Sequence, residues 1–169
     1  METAPDARIT QAAANLSIEP TTLTPALGEV FTTAVRLQNA EDLGASEFTL
    51  DYDPALVEVT NVTLGSFPGS TGRQVVPTGA SVNPTNGTVT FGVYSLGANP
   101  GGPEGTGELA VLTLKALNTG LSRIEFTEAQ VTDRTGALQP IGRLIGGQVE
   151  TVILGQPTGV KTYLPVITK

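Results

Sequence analysis

The amino-acid sequence predicts an all-β sandwich or barrel of about nine strands, running from Leu16 to Val152. Three observations carry that expectation. Apolar residues recur with a period of two from Leu16 onward. Gly, Pro and Asn interrupt the pattern about every 8–12 residues, the spacing of strands joined by turns. Thr and Val are frequent, and 20 Gly with 12 Pro supply turns and discourage long helices.

The elements follow in chain order. Residues 1–13 are small and polar without a hydrophobic period and are expected to be a disordered lead. In Phe31–Gln38, Phe31, Val35 and Leu37 share one face while Arg36 and Gln38 take the other. In Ser46–Tyr52, Phe48, Leu50 and Tyr52 oppose Glu47, Thr49 and Asp51, and Asp53-Pro54 closes the strand. Asn86-Gly87 is the strongest hairpin signal. In Thr88–Tyr94, Val89, Phe91 and Val93 oppose Thr88, Thr90 and Tyr94. Gly97–Gly107 reads as the longest flexible loop. Glu108–Leu117 is apolar on both faces and is expected to be an interior strand, partly covered on both sides. Ile124 and Phe126 point away from Arg123 and Glu125, and Asp133-Arg134-Thr135-Gly136 reads as a type I turn or bulge loop. One wet face per strand is the mark of antiparallel sheets. Beyond residue 154, Gly155–Gly159 is a linker, followed by the apolar tail Tyr163-Leu164-Pro165-Val166-Ile167. The boundaries are thus 1–13 lead, 14–154 sandwich, 155–169 linker and tail.

Composition excludes several functions. The net charge is -7, from 9 Lys+Arg against 16 Asp+Glu, so the basic footprint that nucleic acid or an anionic membrane requires is lacking. No run of apolar residues is long enough to span a membrane. There is no cysteine and no histidine, which removes disulfides, thiolate or imidazole zinc sites, and every nucleophile that needs an imidazole base. A binding or structural module is favoured over an enzyme. Met1–Asp6 has neither the basic nor the apolar region of a signal peptide. Sequons at Asn15, Asn61 and Asn86 read as ordinary Thr-rich strand chemistry.

Candidate chemistry is sparse. Asp51 and Asp53 lie two apart, as a calcium site would allow, but no EF-hand run surrounds them, and Asp53 is better explained as a turn residue before Pro54. No cleft marks a glycosidase pair of carboxylates. Gly101–Gly105 lacks the Lys-Ser/Thr ending of a phosphate cradle. A sugar platform needs two or three exposed rings. Aromatics are 5% without Trp, and Tyr94 alone looks outward from a strand.

The segment Phe48-Thr49-Leu50-Asp51-Tyr52-Asp53-Pro54-Ala55-Leu56-Val57-Glu58-Val59 resembles a cohesin module, whose pattern is an aromatic-led strand, Tyr-Asp-Pro, and then an alternating Val/Ile-Glu-Val/Ile. Ser17–Pro20, Leu27–Phe31, Asn39–Leu43, Gly107–Ala116, Val131–Asp133 and Gly146–Val149 are similar to the family's other pieces, in order, so that the resemblance covers about residues 14–153. It implies a nine-stranded jelly-roll β-sandwich of two antiparallel sheets. It further implies a non-catalytic module that docks a dockerin through one flat face built by the family's strands eight, three, six and five, with any calcium on the dockerin and no cofactor in the chain itself. The corresponding residues are Ala45, Glu47 and Thr49 on strand three, Gln74 and Val76 on strand five, and Thr90, Tyr94, Ser95 and Gly97 on and after strand six. Ala45 stands where the family offers Asn, and Ser95 where it offers an acid. Both departures remove polar anchors and point to a divergent cohesin outside cellulose-degrading complexes.

The expectation is therefore a secreted or cell-surface protein-binding module whose leader is absent from this chain. Its partner would be a dockerin-bearing enzyme or surface protein, for extracellular assembly, scaffolding or attachment, as in bacterial polysaccharide degradation. A carbohydrate-binding module and a purely structural or adhesive surface domain are the alternatives. The tail resembles the Tyr-Leu-Pro-apolar ends of some secreted bacterial proteins, and a strand of Tyr163, Leu164, Val166 and Ile167 is suited to add to a sheet edge. The chain is expected to be a monomer, or to self-associate weakly through that tail.

Overall fold

The computed structural model describes residues 11–155. Its elements are β1 (Ala14–Glu19), β2 (Thr22–Leu23), β3 (Val30–Ala40), β4 (Leu43–Asp51), β5 (Val57–Leu64), β6 (Gln74–Asn83), β7 (Thr88–Leu96), β8 (Gly105–Ala116), β9 (Gly120–Asp133), β10 (Ile141–Ile145) and β11 (Gly147–Thr151). They form a sandwich of two sheets, ordered β10-β1-β3-β8-β5 and β2-β11-β9-β4-β7-β6. No helix occurs among the described residues, and so none is long and apolar enough to cross a membrane.

The core is what the alternation selects. Leu16, Ile18, Val35, Leu37, Leu112 and Leu114 from one sheet meet Phe48, Leu50, Val89, Phe91 and Ile124 from the other, all essentially without solvent contact. The Phe48 ring lies 6.0 Å from Phe91 and 6.2 Å from Phe126, edge-on to the latter. Aromatic pairs at such distances add about 0.5–1.5 kcal/mol beyond their buried area.

The Tyr52-Asp53-Pro54 segment closes one end. Asp53 Oδ1 accepts the Ala55 amide at 2.9 Å, the Asx turn expected before a proline turn. The Tyr52 amide donates to Gly87 O at 2.7 Å, so this turn rests on the β6–β7 hairpin. Gly87 has φ +72, and a Cβ there would stand 2.0 Å from Tyr52 O; both the left-handed backbone and the close approach require glycine.

Several expectations are corrected. Among the described residues there are eleven strands, not about nine: β2 has two residues, too few to display a period, and β10 carries Gly142 inside a run without alternation. The sheets are mixed rather than purely antiparallel, because β1 pairs with β10, and β2 with β11, in parallel. Both exceptions share a cause. The segments β1–β2 and β10–β11 run side by side, and each switches from the five-stranded to the six-stranded sheet, sealing one flank of the sandwich. Gly147 makes the switch possible, since a Cβ there would come within 2.7 Å of Ile18 Cγ2.

The apolar run in β8 has a different origin from two-sided cover. The register against β3 shifts between Val35↔Ala110 and Arg36↔Glu108, leaving Leu109 as a bulge, and Leu109 and Ala110 are both buried. The loop before β8 is tied rather than free. Arg73 Nη1 donates to Pro100 O at 3.1 Å and Nη2 to Gly97 O. Arg134 donates to Ala98 O at 3.2 Å, and Asp42 Oδ1 accepts the Gly102 amide at 2.6 Å. At the other end of the chain, Ala12 and Ala13, expected in the disordered lead, are hydrogen-bonded through Ala12 O to Gln139 Nε2 and through Ala13 O to Asn39 Nδ2, each at 3.2 Å. The rest of the lead up to residue 10, and the tail from residue 156, lie outside the described residues.

Candidate functional site

The strands β9, β4, β7 and β6 are neighbours in that order within the six-stranded sheet. Their inward rows make the core, so the other row of each faces away from it. Across β4 and β7 the outward residues stand in register: Ala45↔Tyr94, Glu47↔Gly92, Thr49↔Thr90 and Asp51↔Thr88. On the β9 side Thr132, Gln130 and Glu128 lie opposite Ala45, Glu47 and Thr49. On the β6 side Val76 pairs with Tyr94, and Gln74 with Leu96.

The residues expected at a partner-binding face distribute as follows. Glu47, Gln74 and Tyr94 are exposed; Ala45, Thr49, Val76 and Thr90 are half-buried on the same face. The hydroxyls of Thr49 and Thr90 hydrogen-bond each other at 2.8 Å, a cross-strand pair that stiffens the middle of the sheet. Ser95 is a correction. It has the opposite parity to Tyr94, and its hydroxyl donates to Gly44 O at 2.9 Å, so it locks two strands together instead of facing outward. Gly97 lies past the end of β7 with φ +81, and its carbonyl is held by Arg73. Tyr163, Leu164, Val166 and Ile167 lie outside the described residues.

Sequence reasoning passed over part of the face. Gln130, Thr132 and Glu128 were masked by a bulge at Thr127, where the register jumps from Thr49↔Glu128 to Leu50↔Phe126. Inward residues Phe126 and Ala129 are therefore three apart, and the period of two breaks. Leu138, 64% exposed, joins the face through its bridge to Thr132. Gly92 carries no side chain that could announce its parity. It floors a hollow of about 220 Å³ walled by Glu47, Thr78, Tyr94 and Gln130.

Among the described residues two ionisable groups are displaced from ordinary behaviour. Burial pushes the Tyr52 phenol above its usual 10.0, and the charge of Glu58 adds to the effect. Its hydroxyl lies near the Val59 backbone without a hydrogen bond of good geometry among the described residues. The Asp133 carboxyl is held below its usual 3.8, chiefly by the Thr135 hydroxyl at 2.6 Å and then by the amides of Ala137 and Thr135. Neither group lines the hollow over Gly92. Among the described residues no three carboxylates are grouped so as to hold a metal ion.

This geometry defines a β-sandwich that presents one polar, hydrogen-bonded sheet face with a shallow hollow in it. The sequence model of the cohesin domain matches residues 15–149, and the chain belongs to the cohesin domain family. Among solved structures it is similar to a non-cellulosomal cohesin of the hyperthermophilic archaeon Archaeoglobus fulgidus, with 18% identity and a TM-score of 0.67 over 85% of this chain and 94% of that one. It is likewise similar to the sixth cohesin of Acetivibrio cellulolyticus scaffoldin B, solved with a Cel5 dockerin mutant, with 18% identity and a TM-score of 0.68 over 83% and 100%. A type I cohesin–dockerin complex from Clostridium thermocellum, Coh-OlpA-Doc918, gives 16% identity and a TM-score of 0.67 over 83% and 100%. Comparison with curated protein sequences gives no match.

Proposed function

We propose that the chain is a non-catalytic protein-binding module that docks a dockerin-type partner through the outward face of β9, β4, β7 and β6. The observation that carries this reading is the continuity of the four strands in one sheet, with Glu47, Gln74, Tyr94 and Gln130 exposed along its outer side. A rigid sheet needs little ordering on association, so the entropy lost on docking is confined to side chains. Relatives solved with dockerins support the choice of partner. The loss at Ala45 favours a role outside cellulose-degrading complexes, in extracellular assembly or surface attachment, with calcium carried by the dockerin. The chain would act as a secreted or surface-held monomer.

The test is a binding screen by calorimetry against the dockerins of the same organism, with the Glu47→Gln and Thr90→Arg variants alongside. At least one dockerin is expected to bind, and Thr90→Arg, which thrusts a long cation from the centre of the face, is expected to weaken it by about 100-fold or more. No binding by any dockerin would defeat the reading. A glycan array with Tyr94→Ala covers the carbohydrate alternative, which has only one exposed aromatic side chain among the described residues to build on. A structural or adhesive surface domain is the remaining reading if neither ligand class binds.

A further inference from the structure

The docking face carries two concave, chemically mixed places among the described residues. One is broad, about 560 Å³, and bordered by Thr49, Glu128, Gln130 and Leu138. The other is the smaller hollow over Gly92, which alone of the two has an aromatic ring exposed at its wall, that of Tyr94. Gly92 is buried although its position points outward, because Thr78 and Glu47 close in around it. A Cβ built on Gly92 would lie 3.0 Å from Thr78 Oγ1 and 3.3 Å from Glu47 Oε2. Ala45 keeps the neighbouring floor low, and Tyr94 and Gln130 rise at the sides. A volume of about 220 Å³ suits one side chain rather than a small-molecule ligand.

Charge identifies the visitor. The stretch of β9 that faces β4, together with β4, β7 and β6, carries Glu47, Asp51, Glu125 and Glu128, all exposed, and no lysine or arginine. Glu47 takes part in none of the three ion pairs formed among the described residues. The wall therefore combines a carboxylate, an aromatic ring and an amide. A guanidinium satisfies all three, since it stacks on a ring, offers a fork of donors to a carboxylate and sheds water more readily than an ammonium. We propose that this hollow is a specificity subsite for a single arginine side chain of the docking partner, seated on Gly92 against Tyr94 and paired to Glu47. The proposal rests on the docking reading for the identity of the face, but the subsite itself can be tested without the partner.

The probe is Nα-acetyl-arginine methylamide, titrated into ¹⁵N-labelled protein, with the citrulline and lysine analogues in parallel. Saturable shifts are expected at the amides of Ala45, Gly92 and Tyr94, with the citrulline and lysine analogues at least about fivefold weaker. Gly92→Ala raises the floor of the hollow at a position whose φ lies outside the left-handed region, and the atoms it meets, Thr78 Oγ1 and the Glu47 side chain, belong to side chains that need give way by only a few tenths of an ångström. It and Glu47→Gln are each expected to cost at least about fivefold in affinity while the melting temperature stays within about 2 °C of the parent. Shifts spread without saturation over the acidic surface would overturn the proposal. So would equal binding of citrulline or lysine, or unchanged binding to Gly92→Ala. A chain that captures dockerins yet fails this titration loses the subsite and keeps the docking function. One that passes it and captures no dockerin keeps a guanidinium site and loses the docking function.

Discussion

Asp133 illustrates how one side chain fixes a turn. Its Oδ1 accepts the Thr135 amide, the Thr135 hydroxyl and the Ala137 amide at 2.8, 2.6 and 3.0 Å, while Gly136 takes the φ of +87 that the turn requires. These hydrogen bonds favour the charged carboxylate and hold its pKa below the ordinary 3.8. A group depressed in the folded state adds stability above its unfolded pKa and loses it as pH falls through the folded one. The contribution of Asp133 is thus complete at neutral pH and disappears below the usual carboxylate range. Melting of the parent and of Asp133→Asn from about pH 7 down to about pH 2 checks this. The parent is expected to melt higher at neutral pH, and the gap to narrow at the acid end. A gap independent of pH would mean that the turn does not depend on the charge.

Elements were legible where alternation was unbroken. β4 and β7 pair as their patterns require, Phe48 against Phe91 inside and Thr49 against Thr90 outside. They supply the centre of the face. Legibility failed where a bulge shifted the phase, as at Thr127 in β9 and Leu109 in β8, because a single extra residue reverses every later parity. It failed again where the determinant was a glycine, since Gly92 shapes the hollow by lacking a side chain. The Gly97–Glu104 loop is the third case. Its glycines and prolines look free in sequence, but long-range hydrogen bonds decide its state. Arg73, 5% exposed, spans two of its carbonyls. Arg134 pairs with Asp42 at 2.9 Å and holds a third. Hydrogen bonds to a charged donor are worth about 1.5–3 kcal/mol each when buried. Arg73→Ala is expected to lower stability in urea by about 2–4 kcal/mol and to speed amide exchange at Gly97 and Gly101. Arg73→Lys is expected to recover only part of this, as one ammonium cannot reproduce a planar fork. A loss under about 0.5 kcal/mol would show that the remaining ties hold the loop unaided.

At the scale of the whole molecule the two sheets differ in electrostatic character. The outer side of the five-stranded sheet balances its charges: Arg36 pairs with Glu19 at 3.2 Å and lies in register with Glu108, and Lys115 lies in register with Glu58. The β9-β4-β7-β6 face has no such balance, because Glu47, Asp51, Glu125 and Glu128 have no basic residue among their outward neighbours on those strands except Arg123, 4.0 Å from Glu125. Four carboxylates against one arginine leave this side of the sandwich net negative, so a partner with a basic surface would be steered toward it before contact. Steering acts on the association rate and is screened by salt, whereas the seated contacts govern dissociation. Asp51 and Glu128 lie on the face but outside the Gly92 hollow, so changing them lowers the charge and leaves that subsite's own residues in place. For a dockerin that binds, Asp51→Asn with Glu128→Gln is expected to slow association about three- to tenfold at about 50 mM salt and to change dissociation by less than that factor. At about 500 mM salt the parent and the double variant should associate at similar rates, since the Debye length is then shorter than the distance over which the face acts. Glu58→Gln, on the balanced sheet, serves as the control and should change neither rate. An equal slowing by Glu58→Gln would assign the effect to overall charge, and a dissociation rate raised as much as the association rate falls would assign it to seated contacts rather than to steering.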